Sequence, residues 1–120
     1  MENKWDGLIT FFGTKDLEVT HKFYNKLLGL PLYKDQGECR IYSVPGGGKI
    51  GFCTHLSVVI GDKSPIITLL AKDVDNIYAR IVESGFSIPK LPEENKKFNI
   101  YHFFVNDPNG YTVEIQKFLD

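Results

Sequence analysis

Tyr101–Phe118, YHFFVNDPNGYTVEIQKF, reads as two strands joined by a tight turn. Asp107 can accept hydrogen bonds from backbone amides two residues on, Pro108 fixes φ at the first central position, and Asn109-Gly110 tolerates the left-handed geometry that returns the chain. The strands are therefore antiparallel. In the second, Tyr111, Val113 and Ile115 share one face and Thr112, Glu114 and Gln116 the other. Periodicity alone allows two readings of that polar row: a solvated outer face, or a patch lining a cavity.

Working outward, the chain of 120 residues is long enough for one packed domain, residues 1–120. With 42% hydrophobic residues it can fill a core, and at a net charge of −1 its charges are of both signs and scattered, so nothing points to nucleic acid as a partner. No apolar run approaches membrane-spanning length, and the opening MENKWDGL has no basic region followed by an apolar core. The expectation is a soluble, cytoplasmic protein with no membrane partner. Cys39 and Cys53 lie fourteen residues apart without a CxxC, and free thiols are the expectation.

The chain then shows a repeat. Leu8–Gly13 (LITFFG) reads as a buried strand. A helix follows, capped by Thr14 or Asp16, with Leu17, Phe23, Tyr24, Leu27 and Leu28 at helical spacing, Gly29 as its stop and Pro31 forbidding continuation. Leu30–Lys34, Glu38–Val44 and Lys49–Leu56 read as short strands, and Ser57–Ser64 is left open between strand and connector. After Pro65 the succession begins again: a strand over Ile66–Ala71, then a helix opened by Lys72-Asp73-Val74-Asp75 and ended by Gly85. KDLE at Lys15–Glu18 and KDVD at Lys72–Asp75 stand at the head of matching successions, so the chain reads as two βαβββ modules, approximately residues 6–62 and 65–120. Lys90–Asn99 reads as a mobile surface loop that could also fold over the polar face of the last hairpin.

KDLEVTHKFYNKLLGLPL early and NDPNGYTVEI late together resemble the vicinal oxygen chelate superfamily, which includes glyoxalase I, extradiol dioxygenases and bleomycin-binding resistance proteins. The resemblance implies an α+β fold of two tandem βαβββ modules forming an incomplete barrel around a cavity, usually in a homodimer, with Glu114 facing inward. Family enzymes hold a divalent metal with a ligand from the first and last strand of each module. Here those positions fall at Ile9 or Thr10, at Gly51 or Phe52, near Ile67, and at Glu114, and only Glu114 is a donor. No metal cofactor is therefore expected. The alternative is a rebuilt set of Cys53, His55 and Glu114 holding zinc, nickel, manganese or iron.

His102 shares a face with Ile100 and Phe104 and is either a packed histidine or a general base in the cavity. Gln116 and His55 are candidate ligand contacts. Arg40 shares a face with Glu38 and Tyr42 and is either an anion site or part of a surface row. His21 reads as solvated. The functional expectation is a small-molecule binder that keeps the family cavity without the metal; the alternative is a metal-dependent lyase, isomerase or dioxygenase.

Overall fold

The computed structural model describes residues 4–120; the first three residues of the N-terminal stretch read above lie outside the described residues. The chain divides into two compact units, one running to Val59 and one over Ile60–Asp120. Each carries one helical segment and a four-stranded sheet, the α+β pattern of two βαβββ modules.

In the first module β1 (Ile9–Gly13) pairs parallel with β4 (Lys49–Cys53), which pairs antiparallel with β3 (Cys39–Ser43) and this with β2 (Leu32–Asp35). The helix α1 (Leu17–His21) is capped by Asp16, whose side chain accepts from the amides of Glu18 and Val19, and it continues as a π-helical turn, Lys22–Leu27. Its apolar residues meet one sheet face: Tyr24 stacks on Phe52 with centroids 4.6 Å apart, and Phe23, Tyr24, Tyr42 and Phe52 are buried. Such offset aromatic contacts add specific attraction to the apolar area they hide. Leu8–Gly13 was expected to be buried, and here the structure differs. β1 is an edge strand, and Ile9 and Phe11 stand on the face away from α1, exposed by 38% and 45%.

In the second module β5 (Ile66–Leu70) pairs parallel with β8 (Thr112–Phe118), β8 antiparallel with β7 (Ile100–Asn106), and β7 with a three-residue strand, β6 (Glu93–Asn95). β6 lies inside the stretch read as a loop. Its Glu-Glu-Asn sequence has no apolar alternation to announce a strand, and only the free edge of β7 makes it one. The helix α2 (Val74–Glu83) is capped by Asp73 and packs Val74 and Ile81 inward, with Tyr78 edge-on to Phe103. The two helical segments stop at Gly29 and Gly85, with φ of +76° and +91°, so the repeated glycine has the same backbone reason in both modules.

The last hairpin folds as its turn residues dictate. Asp107 Oδ1 accepts from the amides of Asn109 and Tyr111, and the amide of Gly110 donates to the Asp107 carbonyl. Ser57–Ser64 forms no strand beyond a single bridge between Gly61 and Ser64.

Candidate functional site

The register of the second sheet decides which side chains stand together. Glu114 lies beside Thr68 of β5 and opposite Phe104 of β7, Gln116 opposite His102, and Thr112 opposite Asn106. Because side chains alternate across a strand, these residues share one face, while Val113, Ile115, Phe103 and Val105 are buried on the other, toward α2. The polar row of the opening hairpin is no solvated surface. Thr112 and Glu114 are buried, at 8% and 7% exposure.

A buried carboxylate must be satisfied by hydrogen bonds, and Glu114 is. Thr68 Oγ1 donates to its Oε1 at 2.7 Å, and its Oε2 lies 2.6 Å from Nδ1 of His102, itself buried. That length belongs to bonds in which at least one partner carries charge. With Nδ1 directed at the carboxylate, Nε2 is the His102 nitrogen left to a ligand, and in the neutral ring it is an acceptor.

His102 opens on a cavity of about 520 Å3 built from second-module residues, with Lys63, Leu91, Phe104, Asn106 and Thr112 among its walls. Phe104 stands edge-on to the His102 ring, centroids 5.1 Å apart, and Lys63 Nζ lies 4.6 Å over the Phe104 ring, a cation–π contact. The Lys90–Asn99 segment supplies Lys90, Leu91, Glu93 and Asn95 to the same wall. The walls thus join Pro89, Leu91, Phe103 and Phe104 to a larger set of polar and charged groups, among them Asp62, Lys63, Glu93 and His102, a lining more polar than that of most small-molecule pockets.

The other sequence candidates lie elsewhere. Arg40 faces α1, where its NH2 group pairs with Glu18 and its Nε lies 3.6 Å from Asp35 Oδ2. Glu18 holds the guanidinium in its charged form, and Arg40 in turn holds the Glu18 carboxyl below its usual range. His21 is not solvated: one helical turn from Glu18, it meets Tyr42 Oη with Nδ1 at 2.9 Å. Burial pushes His21 below the usual imidazole range, and the charges of Arg40 and Lys26 push it the same way. Cys39 and Cys53 are not free thiols; they form a disulfide. The antiparallel register sets them directly opposite with Cα atoms 4.1 Å apart, the close spacing of a pair that makes no ladder bonds, and a sequence gap of fourteen gave no sign of that. His55 lies just beyond β4, exposed, with Nδ1 3.9 Å from Cys39 Sγ.

The fit of a family metal can be read from these positions. Thr68, not Ile67, shares the face of Glu114; Ile67 is buried on the opposite face. The matching pair in the first module is Phe11 beside Gly51, where a Cβ would come within 2.6 Å of the Phe11 ring. Phenylalanine and glycine offer no donor, Thr68 offers a hydroxyl, and both Glu114 oxygens are engaged. The rebuilt set of Cys53, His55 and Glu114 fares no better, because Cys53 is in the disulfide and Glu114 is held by Thr68 and His102. These residues do not fit a catalytic divalent ion, which takes about three protein ligands.

Residues 9–115 match the family model described as the Glyoxalase/Bleomycin resistance protein/Dioxygenase superfamily. The chain belongs to that superfamily. Solved structures of this superfamily's fold are similar over nearly the full length. A glyoxalase/dioxygenase from Nostoc punctiforme superposes with a TM-score of 0.77 at 16% identity, covering 93% of this chain and 90% of that one. A glyoxalase/bleomycin resistance protein/dioxygenase from Alicyclobacillus acidocaldarius gives 0.77 at 17% identity, covering 100% and 96%. TioX from Micromonospora sp. ML1 gives 0.75 at 15% identity, covering 94% and 98%. At such identities the likeness concerns the fold. No curated protein matches the sequence. Among the described residues, no helix is long and apolar enough to cross a membrane.

The residues around the site that the sequence did not point to are Lys63 and Asn106 in the cavity wall and Thr68 beside Glu114. Thr68 had a signal: it is the one polar residue in an otherwise apolar strand, IITLL. Lys63 sits in the connector before Pro65, whose path no periodicity describes.

Proposed function

We propose that this superfamily member is a small-molecule binding protein whose ligand occupies the second-module cavity without a metal. The observation that carries the proposal is the buried Glu114–His102 pair, whose imidazole stands at the wall of that cavity. A buried polar pair costs desolvation unless it is fully satisfied, and here the satisfaction leaves one ring nitrogen for a partner. The ligand is a small organic molecule with an aromatic or apolar body, seated against Phe104 and Leu91, and a hydrogen-bond donor for His102 Nε2. An acidic substituent would be drawn toward Lys63. The donor set argues against the metal-dependent lyase, isomerase or dioxygenase alternative, since no route to chelating two substrate oxygens starts from Phe11, Gly51, Thr68 and an engaged Glu114. The homodimer that the family resemblance implies belongs to this proposal too, and sedimentation equilibrium tests it.

A panel of phenols, anilines and hydroxylated benzoic acids, screened by saturation-transfer NMR on protein treated with chelator, tests the reading. Expected are binders whose affinity falls roughly tenfold in His102→Ala and Phe104→Ala, the loss of about 1.4 kcal/mol of contact. The same binders should be indifferent to His55→Ala. A panel with no binders, or binders that ignore both cavity substitutions, would overturn it.

A further inference from the structure

A second constellation lies wholly in the first module and has no part in the cavity. Cys39 begins β3 and Cys53 ends β4, both buried, and His55 follows two residues on with its side chain exposed. The two sulfurs and one imidazole nitrogen lie within 4.8 Å of one another. In a tetrahedral zinc site with Zn–S near 2.3 Å and Zn–N near 2.0 Å, ligand atoms stand roughly 3.5–3.8 Å apart. His55 Nδ1 and Cys39 Sγ, at 3.9 Å, are already close to that separation. Only the two sulfurs, now bonded, would have to part. On the side of His55 a first-module cavity of about 500 Å3, shared with Thr14, Lys15 and Thr54, leaves room for a fourth ligand such as water.

We propose that Cys39, Cys53 and His55 form a redox-gated site for one thiophilic cation of the zinc class, and that the cation and the disulfide exclude each other. Reduction by a dithiol or a phosphine places two electrons and two protons on the sulfurs, the reductant being oxidised to its disulfide or phosphine oxide. Binding then releases the two thiol protons as the metal–sulfur bonds form, with neutral His55 as the third donor. Oxidation by a peroxide runs the other way: the two thiolates give two electrons to the O–O bond, the S–S bond closes, two waters leave after protonation, and the cation is expelled. An imidazole is no requirement of a structural disulfide, and its place beside the sulfurs is what distinguishes this pair.

The test uses the full chain in two forms, air-oxidised and phosphine-reduced, both desalted under argon. Zinc is titrated into each against a chromophoric chelator, and cobalt(II) is added in parallel to look for thiolate-to-metal charge transfer. Expected are one zinc per reduced chain, a charge-transfer band with cobalt, and no uptake by the oxidised form. Peroxide added to the zinc-loaded chain should release the metal as two hydrogens are lost from the mass. His55→Ala, at an exposed position, should fold and still form the disulfide but hold zinc at least roughly tenfold more weakly. The proposal is overturned by a reduced chain that takes up no zinc, by equal uptake in the oxidised form, by zinc retained through peroxide treatment, or by a His55→Ala variant that binds as the parent does.

Discussion

The two modules place different chemistry at matching positions. Phe11 of β1 beside Gly51 of β4 corresponds to Thr68 of β5 beside Glu114 of β8, 57 residues apart on the first strands. In the first module an aromatic ring lies on a glycine, and a disulfide ties the neighbouring strands. In the second a hydroxyl, a carboxylate and an imidazole form a chain of hydrogen bonds beside a cavity. The helix-covered faces are alike, both built from buried aromatic and β-branched residues. A duplicated fold thus keeps the packing that makes each half stable and varies the opposite sheet face.

The sharpest way to break the comparison is at the end of the first strands. A Cβ at Gly13 would fall 2.2 Å from the Ser57 carbonyl oxygen, a backbone atom that cannot move aside like a side-chain end. Gly13→Ala should cost about 3 kcal/mol or more in a urea melt, or abolish folding. The matching residue of the second module is Leu70, exposed by 64%, and Leu70→Ala should stay within about 0.5 kcal/mol. Similar losses at both would mean the modules are more alike than described.

Reducing the Cys39–Cys53 disulfide, which closes a loop of fourteen residues, should lower unfolding stability by up to about 3 kcal/mol when no metal is present. Unfolding midpoints with and without phosphine measure it. Next comes Glu114→Ala, which strips the buried His102, and with it the exposed Thr68, of a partner and should cost about 2 kcal/mol. Thr68→Ala combined with it should give less than the sum of the two single losses, because both act on one network. Strict additivity in that cycle would count against the network.

The smallest effect expected is a pH slope from the first module. His21 is held below its ordinary range by burial, with Arg40 and Lys26 adding to the shift. Folded, it binds fewer protons than unfolded in the interval between the two pKa values. Stability is therefore complete above the unfolded value, about 6.5, and declines as pH falls through the lower folded value. Unfolding midpoints between pH 7.5 and 5 should fall, and His21→Gln should flatten part of that fall. An unchanged slope in the variant would assign the fall to other groups.

Much of the fold was legible because its signals are local. Asp16 and Asp73 cap helices, Gly29 and Gly85 end them, and Asp107-Pro108-Asn109-Gly110 returns a hairpin, each through bonds among near neighbours. The site was legible only where it lay on the same hairpin. Glu114 and His102 stand on paired strands whose alternation can be counted from the turn, but Thr68 is 46 residues from Glu114 and reaches it through a parallel pairing that no turn fixes. The one-residue difference between Ile67 and Thr68 turns a side chain to the other face, so a position counted only as near Ile67 leaves the face open until the pairing with β8 is known. Cys39 and Cys53 illustrate the same limit: their spacing is uninformative until the register of β3 on β4 sets them opposite.

The short strand β6 has a further consequence. It is the outermost strand on its side of the second sheet, only three residues long, and it presents Glu93 and Glu94 with Lys96 and Lys97 directly after. A stray chain seeking to extend the sheet finds little backbone to join there and must bring its own polar groups against two carboxylates. The wall that shapes the cavity is in this way also the hem that keeps the second sheet from growing into its neighbours in a crowded solution.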